Sequence, residues 1–474
     1  GSVGWIYYGN RFKNGEFSFD ASFTGVESVK NYPVDDNNRS FVEKIQKSGY
    51  RGHIFSKMRY EINDIWRCGF DINLTSDRYY LKRFPFLRKT DRLLESKAMF
   101  EGFDGRNYTL IKASMFQGDC MNILPRILPV IERNFSTVLY NGTLDIETMF
   151  VNFDFNDSRS AQKISSNIFW SKNFLAPYGN MFDVKLLLSL KGMNVSEKEH
   201  SEYNSRIEAT PQLCLAWKWP ILMTADFAKT IFTPIIGVVV AGNKKRFDAF
   251  EDPFCEINDI NFLDGSRTIS PYNIDYGSRL CYGAKISTYK DGRNIFRLTI
   301  GRSRELTSVS EKLEATGLKY QNSNIVTSAD VFITEPLSLF FNGSYSSKTN
   351  RFGKMESGLR LSTEKFNASA FIFDGKQCLY NPFSVTPMRE DEKTQKYRGS
   401  MFDFEWKTSK TIKLKAGVIF GSEKNKLIKH SVGLEYENEC ARIDMTIERT
   451  NYRSGDVKPE TAFRFVVSLK NLGL

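Results

Sequence analysis

The 474-residue sequence has few of the residues that make a site by themselves. Its seven cysteines are dispersed, none closer in sequence than Cys255 and Cys281, so no CxxC zinc or redox pair exists. Its three histidines, His53, His200 and His430, lie far apart and define no metal-ligating cluster. No nucleophile, base and orienting group stand at a recognisable spacing, so no catalytic residues are assigned, and neither a metal nor a cofactor is expected. Long apolar runs are missing too. The one candidate membrane helix, Ile221 to Gly242, is interrupted by Asp226, Lys229 and Pro234, and from Pro234 onward it is β-branched and glycine-flanked, which reads as parts of two strands. No signal peptide stands at the N-terminus, so a mature or trimmed chain is expected. Basic residues exceed acidic ones by a net charge of +11, yet no basic block is clustered. That argues against nucleic acid and for an anionic lipid or polysaccharide partner.

What the chain does have is alternation and aromatics, 14% of residues, with 39 phenylalanines. From Ala441 to Glu448 every second residue is apolar (Ala441, Ile443, Met445, Ile447) and the others are polar or charged. That is the period of a strand with two unlike faces. A polar turn at Arg453 to Asp456 follows, and Phe463, Phe465, Val467 and Leu469 resume the pattern, predicting an antiparallel hairpin. A sheet of such strands must close or expose its edges. Charged faces then argue for a closed barrel with a wet interior, since a membrane protein without helices must be a barrel.

Along the chain, Trp5-Ile6-Tyr7-Tyr8 opens a first hairpin through Lys13-Asn14-Gly15 to Phe17, Phe19, Ala21 and Phe23. The polar stretches from Asn31 to Gly49, Gly192 to Glu208 and Ser384 to Arg398 read as loops. Trp217 and Trp219 suggest an interface girdle, and Asp291-Gly292 a tight hairpin turn between Ala284–Tyr289 and Ile295–Gly301. The acidic stretch Glu251 to Asp264 carries Glu251, Asp252, Glu256 and Asp259 within ten residues, but its spacing matches no EF-hand and it lacks a catalytic partner. At about 18 residues per strand and connection, the fold class is all-β, one large transmembrane antiparallel β-barrel of roughly 24–26 strands over residues 1–474.

Several motifs in order carry a family resemblance. Ser76-Asp77-Arg78-Tyr79-Tyr80-Leu81-Lys82-Arg83 is followed by Glu101-Gly102-Phe103-Asp104-Gly105-Arg106-Asn107-Tyr108, by Phe116-Gln117 and by Leu124-Pro125. The acidic stretch leads into Tyr276-Gly277, and the chain closes with Gly433 to Cys440 and Ser468 to Gly473. Together these resemble the barrel of the LptD family of lipopolysaccharide-assembly proteins. The resemblance implies an outer-membrane translocon that inserts lipopolysaccharide into the outer leaflet through a lateral gate between first and last strands. By it, Trp5, Ile6, Tyr7 and Tyr8 form one side of the gate, and Phe463, Phe465, Val467 and Leu469 the other. It further implies outer-membrane lipids as surroundings, an LptE-like plug lipoprotein, and a periplasmic LptA-type bridge reached through an N-terminal jelly-roll domain that this chain does not contain. Relatives often carry an adjacent cysteine pair where this chain has Glu439-Cys440, so Cys440 is the candidate for at most one interdomain disulfide, with a free thiol as the alternative. Ile6 and Ala21 stand where relatives often have gate-weakening prolines. A porin-like or substrate-specific channel is the alternative; a soluble all-β adhesin is a third reading. An enzyme is not expected.

Overall fold

The computed structural model describes residues 3–26, 33–34, 41–42, 49–77, 80–83, 93–118, 125–155, 159–197, 203–242, 256–265, 267, 275–307, 316–378, 394–421, 426–451 and 459–469. The chain is a meander. It opens with β1 (Gly4–Phe12) and β2 (Gly15–Val26), joined by a two-residue turn. A separate short ladder, β3 (Pro33–Val34) with β4 (Phe41–Val42), is followed by β5 (Gly49–Glu61), β6 (Trp66–Thr75) and a single helical turn, α1 (Tyr80–Arg83). Then come β7 (Leu93–Asp104), β8 (Asn107–Gly118), β9 (Arg126–Leu139), β10 (Gly142–Asp154), β11 (Arg159–Leu175), β12 (Met181–Glu197), β13 (Tyr203–Lys218), β14 (Ile221–Ala225) and β15 (Ala228–Ala241). The second half is β16 (Arg279–Lys290), β17 (Arg293–Glu305), β18 (Ile325–Phe332), β19 (Leu337–Ser346), β20 (Arg351–Ser362), β21 (Phe366–Cys378) and β22 (Thr394–Lys407). It ends with β23 (Ile412–Gly421), β24 (Lys426–Glu437), β25 (Ala441–Thr450) and β26 (Glu460–Leu469).

All but β3 and β4 belong to one 24-stranded sheet whose ladders are antiparallel, the all-β barrel that the alternation predicts. Its 24 strands make 23 staves, because β13 and β14 are two parts of one: both pair with β15, and the chain between them breaks at Pro220, which has no N–H for the ladder. One end of the wall carries connections of two to five residues, such as Tyr140-Asn141 and Asp291-Gly292. The other end carries connections of four to 37 residues.

The polarity of the wall is inverted relative to a soluble protein. On β12, Leu186, Leu188 and Leu190 are exposed while Leu187 and Ser189 are buried, and Ser189 Oγ donates to Asn167 Oδ1 at 2.7 Å. Other buried positions are Ser22, Asn73, Ser114, Thr210, Gln212 and Glu435. The exposed side carries Ile164, Leu215, Ile236, Phe402, Phe404 and Ile447. An apolar surface this extensive is unfavourable in water at roughly 25 cal/mol per Å², whereas a bilayer removes that cost. Five of the six tryptophans, Trp66, Trp170, Trp217, Trp219 and Trp406, stand at the short-turn end, as an interface girdle requires. Trp170 Nε1 donates to the Leu139 carbonyl at 3.0 Å, and Trp219 Nε1 to that of Tyr178 at 2.9 Å.

Three loop expectations need correction. Residues 192–208 are mostly strand, since β12 runs to Glu197 and β13 resumes at Tyr203. Where both faces of a strand meet water, polar side chains carry no alternation, so composition hid the ladder. For the same reason β22 already begins at Thr394, within the stretch expected to be a loop. Between Asn31 and Gly49 the described residues include the ladder of β3 and β4. The turn at 453–456 lies outside the described residues.

Candidate functional site

The four residues assigned to the first gate strand lie in β1, and the register sorts them. Trp5 and Tyr7 face Ser22 and Asp20 across the hairpin, on the lumen side, while Ile6 and Tyr8 face Ala21 and Phe19 on the lipid side. All four are about half exposed, from 46% to 60%, on both faces of the strand. Ile6 and Ala21 are direct partners in the ladder. At the other end of the meander, Phe463, Phe465 and Val467 of β26 stand opposite Ile447, Met445 and Ile443, and Leu469 is paired with Ala441. Among the described residues no ladder joins β1 to β26, so the structure brings the two assigned groups to the two free edges of one sheet.

Behind the first edge lies a polar network that the spacing of the residues gave no sign of. Trp5 Nε1 donates to Asp20 Oδ1 at 2.6 Å, and the same oxygen is 3.0 Å from His53 Nε2. His53 Nδ1 is 2.5 Å from Ser22 Oγ, which lies 2.7 Å from the Tyr80 hydroxyl. Arg51 binds Asp77 through two bonds of 2.7 Å, holding the segment that carries α1 against the wall. Burial, opposed by the Ser22 bond, pushes the Tyr80 hydroxyl pKa up. Ser22, His53 and Asp20 have the residue types of a hydrolase triad, but Ser22, His53 and Tyr80 are all buried, and the hydroxyl that would attack is capped by another. The arrangement ties β1, β2 and β5 to α1; it offers a substrate no approach.

The lumen face beside the last strand is densely charged. Glu435, 1% exposed, accepts from Lys413 at 2.8 Å, from Arg442 at 2.7 Å and from Lys415. Arg464 of β26 reaches Asp444 at 3.2 Å, and Lys429 pairs with Glu448 at 2.8 Å. Such a surface suits sugars and phosphates and repels acyl chains.

A third feature folds inward from the long connection between β15 and β16. Phe262 is fully buried with Ile257, Leu318 and Val326. It sits over Gly283 and Gly301, direct ladder partners on β16 and β17, and a Cβ on Gly301 would stand 2.5 Å from its ring. Arg267 anchors this insert, with Nε donating to Asp275 at 2.5 Å, Nη2 to Glu305 at 2.6 Å and Nη1 to Ser303 at 2.8 Å. Burial works against its charge, but Asp275 and Glu305 outweigh that and raise its pKa, so the guanidinium stays charged. Of the four carboxylates in the acidic stretch, Glu256 and Asp259 are described, and Glu256 pairs with Lys354 at 3.5 Å. Among the described residues no group of His, Cys, Asp or Glu is arranged to hold a metal ion. Cys440 is exposed with a free thiol, in the turn between β24 and β25 at the short-turn end.

The family model described as LPS transport system D, LptD, matches residues 49–371, from β5 into β21. The chain belongs to the LptD family. An LptD-family barrel serves lipopolysaccharide transport, and membership with the inverted wall points to the bacterial outer membrane. No curated protein matches the chain. Among solved structures, it is similar to the FrpB iron transporter of Neisseria meningitidis, at 10% identity over 98% of this chain and 79% of that one, with a TM-score of 0.41. It also matches a mutant Rh. blastica porin, at 12% identity over 65% of this chain and 91% of that one, with a TM-score of 0.23.

Proposed function

We propose that this LptD-family barrel takes lipopolysaccharide from the periplasmic side and releases it sideways into the outer leaflet at the seam between β1 and β26. The observation that carries this is the pair of edges that, among the described residues, have no ladder between them in an otherwise continuous sheet, flanked by a charged lumen. Sugars and phosphates travel in the wet interior. An acyl chain there is disfavoured by about 0.8 kcal/mol per CH₂ and leaves through the wall where the fewest backbone bonds must open. Ile6 and Ala21 offer no proline weakness, so the gate opens because its edges are not laddered to each other. The short-turn end, with Cys440, faces the periplasm, where the jelly-roll domain and an LptA-type bridge would dock and a disulfide could form; an LptE-like lipoprotein would fill the lumen.

A photoreactive residue at Tyr7 or Val467 in cells tests this. Both positions are expected to capture lipopolysaccharide, and the same residue at Leu188, far along the wall, to capture little. Equal capture at all three, or none, would favour a porin-like channel.

A further inference from the structure

The lipid side of β8 to β11 carries a polar row where a bilayer calls for none. Thr109, Arg133, Thr148 and Ser166 are successive ladder partners on these four strands. Arg133 is exposed, and it shares its face with Ile131 and Phe135, which are exposed on either side of it. Ile131, Phe150 and Ile164 border the row toward the long loops, and Phe135 and Ile146 toward the short turns. Its depth follows from the girdle. Arg133 lies six residues from Leu139, whose carbonyl accepts from the Trp170 indole, and Ser166 lies four residues from Trp170 itself. On strands tilted by about 40° that is roughly 10–15 Å above the girdle, near the middle of an apolar band about 25 Å tall.

A cation at that depth is unfavourable unless an anion joins it. The protein supplies none. Among the described residues no hydrogen bond or ion pair engages the Arg133 guanidinium. The acids closest to it in the ladder, Glu132 and Glu147, face the lumen beside Met149 and Asn134. A second copy of the chain has no acid to offer at this depth either. On the lipid side of the described strands acids stand toward the strand ends, at Asp104, Asp154 and Asp374, and Asp374 is paired with Arg398.

We infer that Arg133, with the hydroxyls of Thr109, Thr148 and Ser166, forms a site on the outer wall for the phosphate of a phospholipid, drawn toward the bilayer centre so that the membrane thins against β8–β11. The chemistry selects that group. A phosphate has several acceptor oxygens, which suit a planar guanidinium flanked by hydroxyls. Thr148 Oγ1 and Ser166 Oγ lie 3.1 Å apart, so one of their two protons bonds within the pair and the other is left to donate outward. Trp170 and Lys172 seat headgroups on the same strip of wall, so the phospholipid belongs to the leaflet of the short-turn end. The site is separate from the seam between β1 and β26 and does not depend on it.

Depth-resolved quenching tests this on the purified protein in vesicles of phosphatidylethanolamine and phosphatidylglycerol. An environment-sensitive fluorescent residue replaces Phe150 or, as a reference four residues from Trp406 on the opposite part of the sheet, Phe402. The expected result is that a headgroup-borne nitroxide quenches position 150 more strongly than a chain-end nitroxide does, and that the order is reversed at position 402. Arg133→Leu, which suits a lipid-facing wall and should still fold and migrate heat-modifiably, is expected to reverse the order at position 150. Arg133→Lys should preserve it. Stronger chain-end quenching at position 150 in the unsubstituted protein would overturn the inference, as would a headgroup preference that survives Arg133→Leu or is equally strong at position 402. In cells a photoreactive residue at Phe150 should capture phospholipid; capture of a protein or of lipopolysaccharide in its place would also overturn it.

Discussion

Arg267 is buried with Asp275 and Glu305 on its guanidinium, so its removal takes that cation from two buried carboxylates and leaves Asp275 with Arg279, 3.4 Å away. Arg267→Met is expected to cost about 3–5 kcal/mol, seen as a lower temperature of conversion from the compact to the unfolded band in detergent gels; an unchanged midpoint would contradict the assignment. Arg267→Lys should recover little, because a single ammonium cannot reach Asp275, Glu305 and Ser303 together. The network at His53 makes a different prediction. A fluorophosphonate that labels activated serines should leave Ser22 unmodified in the folded protein, as read by mass spectrometry, because Tyr80 and burial deny it access. Neither cluster was legible in the sequence. Ser22 meets His53 and Tyr80 across 31 and 58 residues, and Arg267 meets Glu305 across 38, so no local spacing announced them.

At the scale of the element, strands with one oily and one wet face were the legible part. Ala441 to Glu448 alternates without a slip, and the same residues form β25 opposite β26 in the register that alternation requires. Strand ends beyond the membrane were not legible, as residues 192–197 show: with water on both sides nothing selects one residue type per face. The inward insert escaped for a geometric reason. Phe262 needs a notch made by two glycines on neighbouring strands, Gly283 and Gly301, which a linear reading cannot bring together. Gly301→Val removes that notch and should expel Phe262 from the lumen wall. Cells carrying it are expected to admit more of a bulky antibiotic that ordinarily stays outside, while the barrel still folds and migrates heat-modifiably; unchanged permeability would show that the insert does not narrow the lumen. A second glycine, Gly102, lies opposite Trp66, whose ring covers it. There a Cβ would meet the indole at 2.5 Å, so Gly102→Ala should lower the folded fraction through a displaced girdle residue.

For the whole molecule, membership in the LptD family, the inverted polarity and the tryptophan girdle agree on a wall with oil outside and water within. The ordered motifs from Ser76 to Cys440 made the family visible in the sequence, because they keep their order. That β13 and β14 make one stave was not visible, since it depends on seeing that Pro220 breaks a strand without turning it. Single cysteines placed along β12 from Lys185 to Leu190, each carrying a fluorophore, test that wall most directly. The account predicts that a lipid-borne quencher acts on positions 186, 188 and 190 and spares 185, 187 and 189. Quenching without that period of two, or by a water-soluble quencher at every position, would contradict it.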